Sequence, residues 1–149
     1  MKIAAISISD RKGVRKENVP SARLKTDYGI EKDAHAGTTS RQVSLLAQES
    51  INKMVEKGLD VTAGDFAENI TTVGIDLIRL PIGQSLLLGD EVLVEVSQIG
   101  KECHDRCAIY HEAGDCVMPK EGIFVKVLKG GTIQTGDAIT IVEKNTDVH

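Results

Sequence analysis

Apolar and polar residues alternate over short stretches along most of this chain, and that period-2 pattern predicts strands. Lys2 to Ser9 alternates with Ile6 and Ile8 on one face and reads as a first strand. Ala22 to Asp27, Gln42 to Leu46 and Asn69 to Val73 read as further strands, the last two from their Val, Leu and β-branched content. Ile82 to Leu88 and Glu91 to Ile99 flank the turn Gly89-Asp90 and predict a hairpin. In its second arm Val92, Val94 and Val96 point one way and Glu91 and Glu95 the other, so this strand is half-buried. Ile123 to Leu128, Thr132 to Gln134 and Ala138 to Val142 complete the set. One stretch has helical spacing. Ile51, Met54 and Val55 fall at i, i+3 and i+4 within Gln48 to Lys57, with Glu49 early, Lys57 late and Gly58 just past the end. A short second helix is expected from Asp105 to Glu112. The charged stretch Asp10 to Pro20 and the small polar stretch Asp33 to Ser40 read as loops.

Seven to nine short strands with one or two helices predict a mainly β (α+β) fold, a β-barrel with helical decoration. No linker divides the 149 residues, so residues 1–143 are expected to form one domain, with 144–149 a frayed tail. The chain has two Tyr, two Phe and no Trp, so the core must be aliphatic. A net charge of −4 argues against a nonspecific nucleic-acid surface. No apolar run approaches the roughly 18 residues that a membrane span needs. The N-terminus reads as a strand and not as an export signal, which leads us to expect a cytoplasmic protein with reduced thiols.

Candidate chemistry concentrates between Gln98 and Cys116, which holds all three cysteines (Cys103, Cys107, Cys116) and two of the four histidines (His104, His111). Cys103 lies between Lys101 and His104, just beyond a strand end, and cations beside a thiol favour the thiolate that attacks sulfur or binds metal. The alternative is a small buried cysteine without chemistry. Cys107 lies four residues on and would share a helical face with Cys103, where a second thiol can resolve a persulfide or disulfide. The three cysteines with His104 or His111 also suit a zinc site, although the spacing fits no standard module. Elsewhere, His35 in D-A-H-A-G is a candidate ligand, proton donor or anion contact, or a loop histidine bonded to backbone. Arg41 suits an oxyanion. Glu68 and Asn69 offer a carboxylate and an amide at a strand start, for a heterocycle edge or for a local turn. Arg11, Lys12, Arg15 and Lys16 form either an anion-attracting loop or a solvated one. The phosphate-binding G-K-[ST] loop, G-x-G-x-x-G and G-x-S-x-G are all absent from the sequence.

Four stretches in order, G-I-E-K-D-A-H-A-G with R-Q-V-S-L-L-A-Q-E-S-I, A-G-D-F-A-E-N-I-T-T-V-G-I, L-G-D-E-V-L-V-E-V-S-Q-I-G-K-E-C-H and G-I-F-V-K-V-L-K-G-G-T-I-Q-T-G-D, together resemble the MOSC family. The family is named for the C-terminal domain of molybdenum-cofactor sulfurase. The resemblance spans nearly the whole chain and is to a short, stand-alone member of bacterial type. It implies a barrel similar to the pyruvate kinase β-barrel domain. It also implies a cysteine that carries sulfur or ligates molybdenum, and Cys103 matches that cysteine by position. His35, Arg41, Glu68, Asn69, Lys101 and His104 are then expected around a molybdenum cofactor (molybdopterin). Many relatives carry an arginine shortly before the cysteine; here Lys101 stands in I-G-K-E-C-H, and Cys107 and Cys116 are additional. The implied functions are cofactor binding or sulfur carriage during cofactor maturation, with a sulfur donor or acceptor protein as partner. A molybdenum-dependent reductase of N-oxygenated compounds is the enzymatic alternative, and a zinc-stabilised binding module the non-enzymatic one.

The zinc and sulfur-carrier readings separate by mutation. Cys107→Ser or Cys116→Ser should unfold a zinc-stabilised module, because structural zinc contributes folding energy directly. In a sulfur carrier both variants should keep the wild-type circular dichroism and melting curve, while Cys103→Ser alone removes activity.

Overall fold

The computed structural model describes residues 1–9, 16–33, 36–37, 42–58, 60–66, 68–99 and 122–142. Its strands are β1 (Lys2–Ile8), β2 (Glu17–Val19), β3 (Ser21–Lys25), β4 (Gly29–Ile30), β5 (Val43–Ala47), β6 (Ile70–Val73), β7 (Ser85–Leu88), β8 (Val92–Ile99), β9 (Ile123–Lys129), β10 (Gly131–Gln134) and β11 (Ile139–Val142). Helix α1 (Gln48–Glu56) links β5 to β6, and a 3-10 turn (Leu77–Arg79) precedes β7. The expected strands are all present to within a few residues. Gly58 has the left-handed backbone (φ 94°) expected just past the helix end, and its N–H donates to Val55 O at 2.9 Å. The expected helix at Asp105–Glu112 and the expected tail at 144–149 lie outside the described residues.

Eight strands form one sheet in the order β11-β7-β8-β9-β5-β6-β1-β2, and β10-β3-β4 form a second. The fold is mainly β, as expected, but the sheet does not close into a barrel. β6 pairs along Lys2–Ile6 on one edge of β1, and β2 pairs along Ile6–Ile8. Only the start of β1 is left for β11, and the contact there is a single bridge, Lys2 to Ala138, flanked by Ile3 N–H to Asp137 O at 2.8 Å and Ile139 N–H to Met1 O at 3.0 Å.

The core explains the sequence pattern. Its buried cluster includes Ile3, Ile6, Val43, Leu45, Ile70, Val94, Val96, Ile123 and Val125, and among the described residues this cluster is aliphatic, with Phe66 and Phe124 buried outside it. β5 is buried along its whole length, as befits a central strand covered on both faces. Val43 and Leu45 belong to the main cluster, whereas Leu46, Ile51, Met54 and Phe124 are buried outside it. β8 alternates buried and half-buried positions as expected, with Glu95 on the open side facing Lys126 at 3.6 Å. Among the described residues no helix is long and apolar enough to cross a membrane.

Two departures bear on the site. Asp10 to Pro20 is not all loop, since Glu17–Val19 adds a short strand to β1. Lys16, expected on a solvated or anion-attracting loop, is buried: its Nζ donates to Asp33 Oδ1 at 2.8 Å, with side chains 1% and 0% exposed. Ser9 N–H donates to the same Asp33 oxygen at 3.0 Å. The charge of Lys16 is therefore spent inside the fold, where an unpaired ion would be strongly disfavoured.

Asp33→Asn should leave the Lys16 ammonium buried without its counter-charge and cost about 3–5 kcal/mol in chemical denaturation. Arg23→Ala, which removes an exposed contact to Glu31 at 3.7 Å, should cost about 1 kcal/mol or less. Equal effects of the two substitutions would contradict the burial of the Lys16–Asp33 pair.

Candidate functional site

Of the candidate site residues the structure describes Glu68 and Asn69, and Asn69 lies on a polar row running across the sheet. Ser44 and Asn69 face each other from the parallel strands β5 and β6. The Asn69 N–H is shared between Ser44 O and Ser44 Oγ, both at 3.0 Å. Asn69 Oδ1 accepts from Ser44 N–H at 3.0 Å and from the Ser44 hydroxyl at 3.1 Å. On the other side Asn69 Nδ2 donates to Ser7 O at 3.1 Å, and Ser7 N–H donates to Asn69 O at 2.7 Å. Asn18 on β2 extends the row, its Nδ2 donating to Ser7 Oγ at 2.7 Å and to Ala63 O at 2.9 Å. In the other direction Ser44 stands in register with Phe124, and Phe124 with Gln98. Ser97 Oγ donates to Phe124 O at 3.2 Å.

One residue past Gln98, Ile99 pairs with Ile123. The chain therefore leaves β8 and re-enters β9 at cross-strand partners. The segment between them carries Lys101, Cys103, His104, Cys107, His111 and Cys116, all outside the described residues. His35 and Arg41 also lie outside them, but described residues on either side of them in sequence are anchored. Asp33 holds Lys16 and Ser9, as above. Gln42 is buried, its Oε1 accepting Val127 N–H at 3.0 Å and its Nε2 donating to Asp27 Oδ1 at 3.0 Å. Gly37 N–H donates to Tyr28 O at 2.8 Å.

Glu68 and Asn69 are adjacent and fully buried. Both side chains are engaged by hydrogen bonds among the described residues. Asn69 spends its amide on the strand clamp just described. The Glu68 carboxylate accepts Gly64 N–H at 2.9 Å, Phe66 N–H at 3.2 Å and the Thr71 hydroxyl at 2.9 Å. Burial pushes the Glu68 carboxyl above the usual carboxylate range, and these hydrogen bonds offset part of that rise. The geometry thus gives both residues a framing role.

Gly64 explains part of the family-like A-G-D-F motif. Its φ is 94°, and a Cβ there would stand 2.5 Å from Lys16 O and 2.9 Å from Ser7 Oγ. Lys16, Asp33 and Ser44 were not singled out from the sequence as parts of one frame. Lys16 and Asp33 are 17 residues apart, and no local pattern signals their contact. Two clefts open elsewhere on the described surface. One, of about 640 Å³, lies between the start of α1 and Gly74–Arg79, and one of about 460 Å³ lies beside Glu91 and Asp137. Neither is lined by a residue expected from the sequence to bind a cofactor. Among the described residues no group of three or more His, Cys, Asp or Glu is placed to hold a metal.

Comparison with known proteins agrees with this architecture. The chain resembles the YuaD protein from Bacillus subtilis with a TM-score of 0.73 at 20% identity, covering 93% of each chain. It resembles YiiM from Geobacillus stearothermophilus with a TM-score of 0.73 at 23% identity, over 98% of this chain and 77% of that one. YiiM from Escherichia coli gives a TM-score of 0.68 at 19% identity, over 99% and 73%. Likeness at these identities establishes a shared fold. No curated protein matches the chain. The model of the MOSC domain matches residues 32–140, a span from the Asp33 anchor through the cysteine segment to β11. On that match over most of its length, the chain belongs to the MOSC domain family.

Proposed function

We propose that this protein serves the molybdenum cofactor, as a sulfur carrier in its maturation or as a protein that binds it, with Cys103 as the working thiolate. Membership of the MOSC family associates the chain with that cofactor in general terms. The observation that carries the finer reading is the match across residues 32–140, which includes Cys103 in the segment that follows β8.

The donor chemistry fits the group. A thiolate is a soft ligand suited to molybdenum. An arginine fork suits the cofactor's phosphate, so Arg41 takes that contact, with His35, Lys101 and His104 as further polar partners. Glu68 and Asn69, whose side chains are engaged internally, act by holding the ends of β1, β5 and β6 in place. When bound, the molybdenum centre would supply metal-centred redox chemistry that no side chain has. The chain's own part is to present Cys103 as a thiolate, with Lys101 beside it in sequence to favour the charged form. In the carrier role this thiolate attacks the outer sulfur of a donor protein's persulfide. The donor's S–S bond breaks, the donor leaves as a thiolate, and Cys103 retains the persulfide.

Incubation with a cysteine desulfurase and cysteine, followed by peptide mass spectrometry, tests this role. The expected result is one added, cyanide-labile sulfur on the peptide bearing Cys103, and none on a folded Cys103→Ser variant. Equal loading of Cys103→Ser, on Cys107 or Cys116, would overturn it.

A further inference from the structure

The function proposed above gives the cofactor polar partners and leaves the flat faces of its pterin ring without one. We infer that the ring of Tyr28 is a stacking platform for a planar heteroaromatic group; resting on the function proposed above, that group is the pterin.

Tyr28 stands at the tip of the β3–β4 hairpin. Lys25 pairs with Gly29 there, and Thr26, Asp27 and Tyr28 make the connection. Tyr28 N–H donates to Lys25 O at 3.1 Å and closes the turn. Asp27 holds left-handed backbone, φ 51°, which residues other than glycine adopt uncommonly. Such backbone persists only where its surroundings fix it, and it gathers at ligand-binding sites. Here the surroundings do fix it. Asp27 N–H donates to Val127 O at 2.7 Å, and Asp27 Oδ1 accepts Gln42 Nε2 at 3.0 Å. Thr26 Oγ1 accepts Gly130 N–H at 3.0 Å. Gly29, with φ 127°, packs so closely that a Cβ there would stand 2.7 Å from Gln42 O. The tip is thus tied to β9 and to the residue before β5.

The same turn meets the stretch that holds His35 and Arg41 at two described points. Gly37, two residues after His35, donates its N–H to Tyr28 O at 2.8 Å, and a Cβ on Gly37 would stand 3.6 Å from Tyr28 Cε1. Gln42, one residue after Arg41, holds Asp27. Of the three aromatic residues described, Phe66 and Phe124 are 3% and 1% exposed, whereas Tyr28 is 41% exposed. The hydrogen bonds that lock the turn use the backbone of Tyr28 and the side chains of its neighbours, so the turn itself does not call for an aromatic ring at this position. Lys25 Nζ stands 5.7 Å from the ring centroid, a cation contact that steadies the ring. A ring held outward on a fixed turn is preorganised and loses little freedom on binding. Its chemistry selects flat, unsaturated rings, which pack on it in offset stacks.

Equilibrium dialysis of the full chain against pterin-6-carboxylate tests this platform. The wild type should bind the probe saturably, and Tyr28→Phe should bind as the wild type does. Tyr28→Leu should lose affinity by about tenfold, within the range that stacking on an aromatic side chain contributes. NMR of the wild type gives a readout that needs no variant: the Tyr28 ring protons should move upfield as the probe is added. Equal affinity of folded Tyr28→Leu and wild type, or Tyr28 ring protons that stay in place at saturation, would overturn the inference. A wild type that takes up no pterin while its Cys103 loads with sulfur would also overturn it and leave the sulfur-carrier role standing. Binding that depends on Tyr28 in a protein whose Cys103 does not load would support the platform and count against the carrier role alone.

Discussion

The bond pattern between Asn69, Ser44 and Ser7 is the constraint on which the polar end of this fold depends. β5 and β6 form the parallel pair, and α1 must carry the chain back over the sheet between them. An exact register there requires a device that recognises both neighbours, and Asn69 provides it. Its backbone and amide make bonds to Ser44 on one side and to Ser7 on the other. All three residues are buried, so none of these groups has water as a substitute. Each bond lost there would cost on the order of 1–3 kcal/mol. An alanine at position 69 would remove the amide bonds to Ser44 and to Ser7 O.

From that clamp the remaining polar contacts follow outward. Ser7 fixes Asn18, Asn18 fixes Ala63, and the turn around Gly64 meets Lys16, whose ammonium is neutralised by Asp33. Asp33 lies two residues before His35 in sequence, and Gln42, bonded to Val127 and Asp27, lies directly after Arg41. The polar end is thus cross-linked by hydrogen bonds among the described residues. In the proposed function, such a frame fixes the ends of the segments that bear His35, Arg41 and Cys103. Pairing of Ile99 with Ile123 does the same for the segment bearing Cys103.

Much of the fold was legible because strand burial here follows period 2. Val92, Val94 and Val96 are buried as their alternation implies, and Ile51 and Met54 as their helical spacing implies. Scarcity of aromatics correctly indicated an aliphatic core. What escaped the sequence has physical reasons. β2 and β4 span three and two residues, too few to show a period. Closure of the sheet depends on which edge of β1 is free, a tertiary fact absent from any local pattern. Glu68 and Asn69 were expected beside a cofactor, and residue type alone does not tell a ligand-facing amide from one that bonds neighbouring strands, as Asn69 does here. Lys16 and Asp33 are residue types that usually face water, so their burial together is visible only in three dimensions.

We propose that this MOSC protein engages the molybdenum cofactor through Cys103. The most direct test is to present the purified chain with cofactor released from a molybdoenzyme, separate bound from free by gel filtration, and quantify molybdenum, pterin and zinc in the protein peak. Molybdenum and pterin near stoichiometry in the wild type, and loss of both in a folded Cys103→Ser variant, is the predicted result. Zinc near one equivalent with no pterin, or equal cofactor retention by Cys103→Ser, would contradict it.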